Sequence, residues 1–149
     1  MIVALDPGAT TGIAYYDETQ NKFYTAQLEH DKYPHPHEIL FDTLTSLKPN
    51  AIVYESFLHR HKTGVIYDGV QYSGVIELWA ELHGVPVVKY NSGYGKAFWK
   101  DDKIKRMALW VPGKKHAMDA MRHLLNHLMK TNKAFALEAT NKLRLEHAE

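Results

Sequence analysis

Two acidic residues stand where predicted β-strands end. Asp6 follows the apolar run Ile2–Leu5, and Glu55 closes the apolar run Ala51–Tyr54. If the two strands are parallel neighbours, their carboxylates meet at one edge of the sheet. Burying a carboxylate at the end of an apolar strand costs folding free energy unless another group compensates its charge. A bound metal ion is one such group.

A predicted helix, Lys114–Lys130, supplies further candidate ligands. Asp119 lies on its polar face, and His116, three residues earlier, shares that face. If this helix packs across the sheet edge, three carboxylates and an imidazole converge. Carboxylate oxygens suit Mg²⁺ or Mn²⁺, and two such ions about 4 Å apart catalyse phosphodiester hydrolysis. The residues on the polar face are His116, Asp119, Arg122, His123 and Asn126.

Each of these acidic residues also has an ordinary structural interpretation. Asp6 precedes Pro7 and Gly8, where aspartate commonly starts a turn. Glu55 is an acid at a strand end that enters solvent, and Asp119 is one residue of a solvated helical face. Spacing alone therefore leaves open both a metal site and purely structural roles.

The chain alternates between apolar runs and breaker-rich turns. A hairpin of two strands is followed by a third strand, and later strands alternate with helices. This order predicts an α/β fold with a mixed five-stranded sheet: three antiparallel strands, then parallel strands joined by right-handed crossovers, flanked by helices. After the first hairpin we predict strands Lys22–Leu28, Ala51–Glu55 and Val85–Tyr90, helices Glu38–Leu47, Val70–His83, Asp101–Trp110 and Lys114–Lys130, and a proline-containing loop at Glu29–His37.

Composition is typical of one soluble domain: 149 residues, 45% hydrophobic and 23% charged. No apolar run reaches membrane-spanning length and no basic leader precedes the first strand, so we expect neither a membrane span nor a secretory signal. The absence of cysteine excludes disulfides, thiolate nucleophiles and cysteine zinc sites, and fits a reducing cytoplasm. The ten histidines lack cysteine partners, so we expect scattered surface residues.

Charge is distributed unevenly along the chain, although the net charge is only +1. Residues 1–55 carry three lysines and eight acidic residues, whereas residues 89–115 carry eight basic and two acidic residues. An acidic pocket beside a basic surface is expected for a metal-dependent enzyme that acts on a polyanion. Ordinary solvated faces would give the same counts.

Three motifs together resemble the RuvC family of Holliday junction resolvases, which belongs to the RNase H-like nuclease superfamily. They are LDPGATTG at residues 5–12, VYE at 53–55 and HAMDA at 116–120. The resemblance covers about residues 1–130 and keeps the family order of motifs. It implies an RNase H-like nuclease domain over 1–130, followed by a polar tail or helix over 131–149. The small size resembles phage-encoded relatives, and the connection Ser56–Gly69 departs from the family in sequence.

Carried over by position, the resemblance implies that Asp6, Glu55 and Asp119 are catalytic metal ligands. His116 would be a further ligand or would position the attacking water. The implied cofactor is Mg²⁺, two ions per site, with Mn²⁺ able to substitute. The implied substrate is a four-way DNA junction, resolved by paired symmetric nicks in recombination, repair or phage DNA processing, in a bacterial or host cytoplasm.

Basic and aromatic residues form a candidate DNA surface. Lys96, Lys100 or Lys103 would match the family's basic residues near the scissile phosphate. Aromatic side chains lie among the basic segments and would stack on unpaired bases, although Tyr72 and Phe98 are equally well explained as core residues. The predicted DNA-binding residues are Arg60, Lys62, Lys96, Lys100, Lys103, Lys105 and Arg106. The candidate stacking residues are Phe57, Tyr67, Tyr72, Tyr94, Phe98 and Trp99.

A two-fold symmetric junction needs two coordinated cuts, so we predict a homodimer. The helix Val70–His83, with Trp79 on its apolar face, is a candidate interface element. Its spacing also predicts that Val75, Leu78, Trp79 and Leu82 face inward.

Three other functions remain open. The first is a related RNase H-like nuclease acting on other branched DNA or on an RNA–DNA hybrid. The second is a non-catalytic junction-binding homologue, against which the retained acids argue. The third is an actin-like ATPase with a similar phosphate-binding hairpin, for which 149 residues are too few to form two lobes.

Overall fold

The computed structural model describes residues 1–56, 68–91, 93 and 95–144. Its sheet has five strands in the spatial order β3-β2-β1-β4-β5. Strands β1, β2 and β3 pair antiparallel, whereas β4 pairs parallel to both β1 and β5. The strands are β1 Ile2–Asp6, β2 Thr10–Asp17, β3 Lys22–Glu29, β4 Ala51–Ser56 and β5 Val87–Asn91. The predicted mixed α/β sheet is confirmed.

Helices cover both faces of the sheet. They are α1 Pro36–Leu47, α2 Asp68–His83, α3 Asp101–Arg106, α4 Lys115–Thr131 and α5 Lys133–Arg144, with a short 3₁₀ turn at His30–Lys32. The last of these helices, α5, begins two residues after α4 ends, and its Phe135 and Ala139 are buried against the α4 side of the sheet.

Three of the predicted boundaries that differ from the structure have a clear local reason. α1 begins at Pro36, which we had placed in a loop; proline suits the first helical turn because its missing N–H has no partner there. α3 ends at Arg106 rather than Trp110, because Ala108 takes a left-handed conformation with φ of 58°. β5 begins at Val87, because Pro86 cannot donate to a strand ladder.

Alternation along the strands sends successive side chains to opposite faces of the sheet. One face packs under α1 and α2, and the other packs under α4 and α5. Buried residues on the first face include Val3, Leu5, Ile13, Leu40, Leu44, Ile52, Ile76 and Trp79. Buried residues on the second face include Ala4, Ala14, Val53, Trp99, Met118, Met121, Leu124, Leu125 and Leu128.

The helix α4 crosses the sheet at very close range. A Cβ atom built on Gly12 of β2 would lie 1.9 Å from the backbone oxygen of His116, so only glycine fits at this position. The amide of Ala117 donates to the side-chain oxygen of Gln27 on β3 at 3.1 Å. This bond occupies one of the N–H groups that a helix N-terminus leaves unpaired. The sheet therefore holds the start of α4 directly beside the end of β1.

The prediction that Leu78 and Leu82 of α2 face inward is wrong. Their side chains are 52% and 66% exposed, whereas Trp79 is 2% exposed and donates from its indole nitrogen to the hydroxyl of Thr45 in α1. The apolar residues of α2 are distributed around the helix, so their spacing alone does not reveal which side meets the sheet. None of the described helices is both long and apolar enough to cross a membrane.

Candidate active site

Asp6 and Glu55 come together at the end of two neighbouring strands. The register pairs Leu5 of β1 with Tyr54 of β4, so the next residues, Asp6 and Glu55, lie side by side. Alternation places both on the face of Ala4 and Val53, which is the face that α4 covers. Both residues are buried, at 8% and 4% exposure.

Asp119 of α4 joins the same group of charges. Burial and the nearby negative charges of Glu55 and Asp119 raise the pKa of Asp6 to about 6. Such crowding of carboxylates disfavours full ionisation unless a positive charge is added. The structure therefore brings three of the four predicted catalytic residues into electrostatic contact.

His116, the fourth predicted residue, lies at the rim of the group. Its Nδ1 atom is 3.3 Å from Oδ2 of Asp6, and its side chain is 44% exposed. The close approach at Gly12 fixes the backbone of His116, which accounts for this contact. A partly exposed imidazole beside a buried carboxylate has room to contact a substrate or a water molecule.

Lys96 lies between two of the carboxylates. Its ammonium nitrogen is 3.5 Å from Oε2 of Glu55 and 3.8 Å from Oδ2 of Asp119. Burial by itself raises the pKa of Glu55, but a hydrogen bond from His123 and the charge of Lys96 hold that pKa below its usual range. We predicted Lys96 as a DNA-binding residue, and here it neutralises the acidic group.

Sequence reasoning missed two residues that touch the carboxylates, Arg122 and His123. Nη1 of Arg122 lies 2.8 Å from Oδ1 of Asp119, and Nε2 of His123 lies 3.0 Å from Oε2 of Glu55. Both share a helical face with His116 and Asp119, and this spacing is the signal that could have found them. The interpretation of that face as solvated is wrong, because His123 is fully buried.

The segment from Gly95 to Trp99 covers this face of α4. Gly95 has φ of 86°, and a Cβ built on it would lie 3.2 Å from the Cβ of Asn126 and 3.4 Å from the backbone oxygen of Arg122. The carbonyl of Trp99 accepts a hydrogen bond from Nε of Arg122 at 2.9 Å. Tertiary contact thus turns a polar helix face into an interior surface.

The expectation of scattered surface histidines is also wrong in part. His30, His123 and His127 are buried. Burial lowers the pKa of His30 and of His127, so both are neutral at ordinary pH. His30 lies within hydrogen-bond distance of the Thr11 hydroxyl and stacks on Tyr72, on the opposite face of the sheet from α4.

The donor set fits a hard divalent cation. Asp6, Glu55 and Asp119 offer carboxylate oxygens, and the raised pKa of Asp6 reflects its burial together with the nearby negative charges of Glu55 and Asp119, which a cation would offset. Within the described residues, however, no three histidine, aspartate or glutamate side chains are already arranged to hold a metal ion. The ammonium of Lys96 stands between the carboxylates of Glu55 and Asp119 instead.

A basic cleft of about 990 Å³ opens beside Asp119. Of the predicted DNA-binding residues, Lys96, Lys100 and Lys105 line it, and Lys103 and Arg106 of α3 do not. Arg60 and Lys62 lie outside the described residues. The described residues around the cleft are Lys96, Lys100, Asp101, Asp102, Lys105, Trp110, Val111, Gly113, Lys114, Lys115, Met118, Asp119 and Arg122.

The candidate stacking residues separate clearly. Tyr72 and Trp99 are buried core residues, so they cannot stack on a base. Phe98 is exposed, and the ammonium of Lys103 lies 3.6 Å from the centre of its ring. The remaining candidates, Phe57, Tyr67 and Tyr94, lie outside the described residues.

Similar solved structures share this arrangement of strands and helices. RuvC of Thermus thermophilus, solved in complex with a Holliday junction substrate, superposes with a TM-score of 0.66 at 17% identity, covering 88% of this chain and 95% of that chain. The chain has the fold of RuvC. The fowlpox virus Holliday junction resolvase gives a TM-score of 0.52 at 13% identity, covering 87% of this chain and 98% of that one.

A third similar structure is the yeast mitochondrial Holliday junction resolvase, with a TM-score of 0.51 at 12% identity over 97% of this chain and 83% of that one. No protein-family model matches the chain, and no curated protein matches it in sequence. The RuvC-like, RNase H-like fold is therefore established by structure, and the resemblance drawn from the three motifs is confirmed at the level of fold.

Proposed function

We propose that this protein is a metal-dependent endonuclease that resolves four-way DNA junctions by paired symmetric nicks. One observation carries the proposal: on a RuvC fold, Asp6, Glu55 and Asp119 crowd at the carboxyl end of the central strands, directly beside a basic cleft. Crowded carboxylates next to clustered lysines are what a phosphodiester backbone and its metal ions require.

Each group has a role in the proposed reaction. Asp6, Glu55 and Asp119 would hold the metal, with Mg²⁺ as the expected ion and Mn²⁺ as a substitute. When bound, two such ions activate a water molecule and stabilise the leaving oxygen. His116, at the exposed rim, would orient that water or add a ligand.

The basic cleft would bind the DNA backbone. Lys100, Lys105, Lys114 and Lys115 all line it, and their ammonium groups attract phosphates without reading sequence. Lys96 would leave the carboxylates when the metal arrives and would then face the scissile phosphate. Lys96 would therefore pair with the carboxylates in the metal-free protein and with the scissile phosphate in the metal-bound complex.

We propose a homodimer formed through the outer side of α2. Leu78 and Leu82 are four residues apart and so lie on one side of the helix, with exposures of 52% and 66%, and Val70 in the first turn is 38% exposed. A second copy of the chain is the expected partner, because a two-fold junction presents two equivalent strands to be cut. Trp79, the residue first associated with this interface, packs inside the domain instead.

A cleavage panel tests the proposal. Purified protein is incubated with Mg²⁺ and end-labelled four-way junction, three-way junction, flap, linear duplex or RNA–DNA hybrid. We expect paired nicks in the four-way junction, little cutting of duplex, and none in EDTA. Preferential cutting of flaps or of the hybrid would replace the junction assignment with another RNase H-like nuclease activity. Binding without cutting in either Mg²⁺ or Mn²⁺ would favour a non-catalytic homologue.

A further inference from the structure

One side of α4 supplies a partner to every carboxylate of the site. His116, Asp119, Arg122 and His123 follow each other at spacings that place them on the same helical face. His116 contacts Asp6, Arg122 contacts Asp119, and His123 contacts Glu55. A single helix therefore orients the whole acidic group.

The contact between His123 and Glu55 is fully enclosed. A carboxylate has acceptors only, so Nε2 of His123 must donate the hydrogen bond of 3.0 Å. Within the described part of the chain, the other ring nitrogen, Nδ1, is buried without a hydrogen-bond partner. The imidazole ring lies nearly parallel to that of Tyr90, at an interplanar angle of 9°. The ring is thus packed in place with a single polar contact, which goes to Glu55.

Arg122 is held at three points. Nη1 donates to Oδ1 of Asp119, Nη2 to Asp101 at the start of α3, and Nε to the carbonyl of Trp99. The planar guanidinium group therefore has one orientation. It fixes Oδ1 of Asp119 and leaves Oδ2 facing Lys96, at 3.8 Å.

We propose that His123 and Arg122 are positioning residues that hold the carboxylates of Glu55 and Asp119 for binding a divalent metal ion. The inference rests on the proposed function, because it assumes that these two carboxylates are metal ligands. His123 is sealed from solvent and cannot touch DNA, so it acts on the reaction only through Glu55. Partners of this kind set ligand orientation, and their loss typically weakens metal affinity about 10- to 100-fold.

The decisive experiment replaces His123 in the full-length protein. Mn²⁺ binding is measured by calorimetry without DNA, and single-turnover cleavage and junction affinity in EDTA are measured alongside. We expect His123→Leu to weaken Mn²⁺ binding at least 10-fold and to slow cleavage by a similar factor, with junction affinity within 2-fold. His123→Gln should restore most of both losses, because its amide retains an N–H donor at a similar reach.

His127→Leu is the matched control. His127 is also buried on α4, one turn later, but its ring bonds to the hydroxyl of Tyr90 and not to a carboxylate. This variant should bind Mn²⁺ within 2-fold of wild type. Equal losses in the two leucine variants, or wild-type Mn²⁺ binding in His123→Leu, would overturn the proposal for His123. If His123→Leu does not fold, failure of the folded His123→Gln variant to bind Mn²⁺ would overturn it as well.

Arg122→Lys provides an independent test, because it keeps the positive charge and removes the rigid fork. We expect Mn²⁺ binding to weaken and cleavage to slow at least 10-fold, with Arg144→Lys on the exposed side of α5 unchanged. Wild-type Mn²⁺ binding and cleavage by Arg122→Lys would overturn the positioning role proposed for Arg122. Wild-type protein that neither binds Mn²⁺ nor cuts a junction would overturn the proposed function itself, whereas normal wild-type activity with unaffected variants would overturn this inference alone.

Discussion

The two faces of the sheet are packed by helices of different character. Under α1 and α2 the buried contacts are mainly apolar, with His30 and Thr11 forming a polar pair. Under α4 the same kind of apolar core continues, but at the carboxyl end of the strands it meets Asp6, Glu55 and the buried His123. The residues buried on the first face are explained by their contribution to folding stability. The buried charged residues on the second face are not.

The difference shows how a protein keeps charge inside. Buried carboxylates are tolerated on the α4 face because α4 and the segment covering it bring a donor to each of them. Even so, the pKa of Asp6 stays raised to about 6, so the compensation is incomplete. We expect substitutions on the α4 face to change activity more than stability, and substitutions on the α1–α2 face to do the reverse.

The largest expected effect comes from Asp6→Asn. Removing a metal-ligand charge should slow junction cleavage at least about 1,000-fold, since ion-mediated stabilisation contributes several kcal/mol to the transition state. Junction affinity in EDTA should stay within a few-fold, because the lysines of the cleft are untouched. Single-turnover cleavage and gel-shift assays measure the two quantities. Asp42→Asn, at an exposed position on α1, is the control. Full cleavage activity of Asp6→Asn would refute the assignment of Asp6 as a catalytic residue.

Trp79→Ala tests the opposite face. Loss of this buried indole should lower the free energy of unfolding by about 3–4 kcal/mol, through lost burial and a cavity between α1 and α2. Urea denaturation measures the loss, and cleavage well below the melting temperature should remain close to wild type. Leu137→Ala, at an exposed position on α5, is the control. A large loss of activity in folded Trp79→Ala would contradict the expectation that substitutions on the α1–α2 face affect stability more than activity.

Metal-free stability should respond to pH through Asp6. Its pKa is raised from 3.8 in the unfolded chain to about 6 in the folded protein. The folded state therefore gains stability from protonated Asp6 below pH 3.8, and this contribution is lost as the pH rises through 6. Asp6→Asn should therefore be more stable than wild type by about 3 kcal/mol at pH 8, with little gain at pH 4. Thermal unfolding in EDTA at both pH values measures the difference. An equal gain at both would show that charge is not the cause.

The opposite sign is expected for His30 and His127. Burial lowers the pKa of each below its usual 6.5, so the stability that the neutral rings contribute is present above pH 6.5 and is lost as pH falls below it. In wild type this loss partly cancels the gain from Asp6 between pH 8 and 5.5. In Asp6→Asn the gain from Asp6 is absent, so the loss from the two histidines is no longer offset. As the pH falls over that range, the melting temperature of Asp6→Asn should decrease more steeply than that of wild type or Asp42→Asn.

The smallest effect concerns the outer side of α2. Leu82→Asp should weaken self-association at least 10-fold, because it places a charge in the proposed apolar interface, while folding is unaffected at a position 66% exposed. Sedimentation equilibrium measures the dissociation constant. Leu137→Asp, at 65% exposure on α5, is the matched control. Equal behaviour of the two variants, or a monomeric wild type, would remove α2 from the interface.

Much of the fold could be predicted from local pattern. The hairpin around Pro7–Gly12, the succession of strands and helices along the chain and the helix α4 follow from apolar periodicity and turn residues, and the structure confirms the mixed sheet. The boundaries of α1, α3 and β5 were wrong because single prolines and one left-handed residue decided them. The metal, the dimer and the catalytic roles remain predictions.

The sequence by itself determined that Asp6 and Glu55 lie at the carboxyl ends of buried strands, because a short run of apolar residues precedes each of them. It also determined that α4 has a polar face. Only the tertiary structure decided what that face meets, because the covering segment and β4 lie far from α4 in the chain. Packing turned Arg122 and His123 from presumed solvent-facing residues into partners of the carboxylates, and turned Leu78 and Leu82 outward.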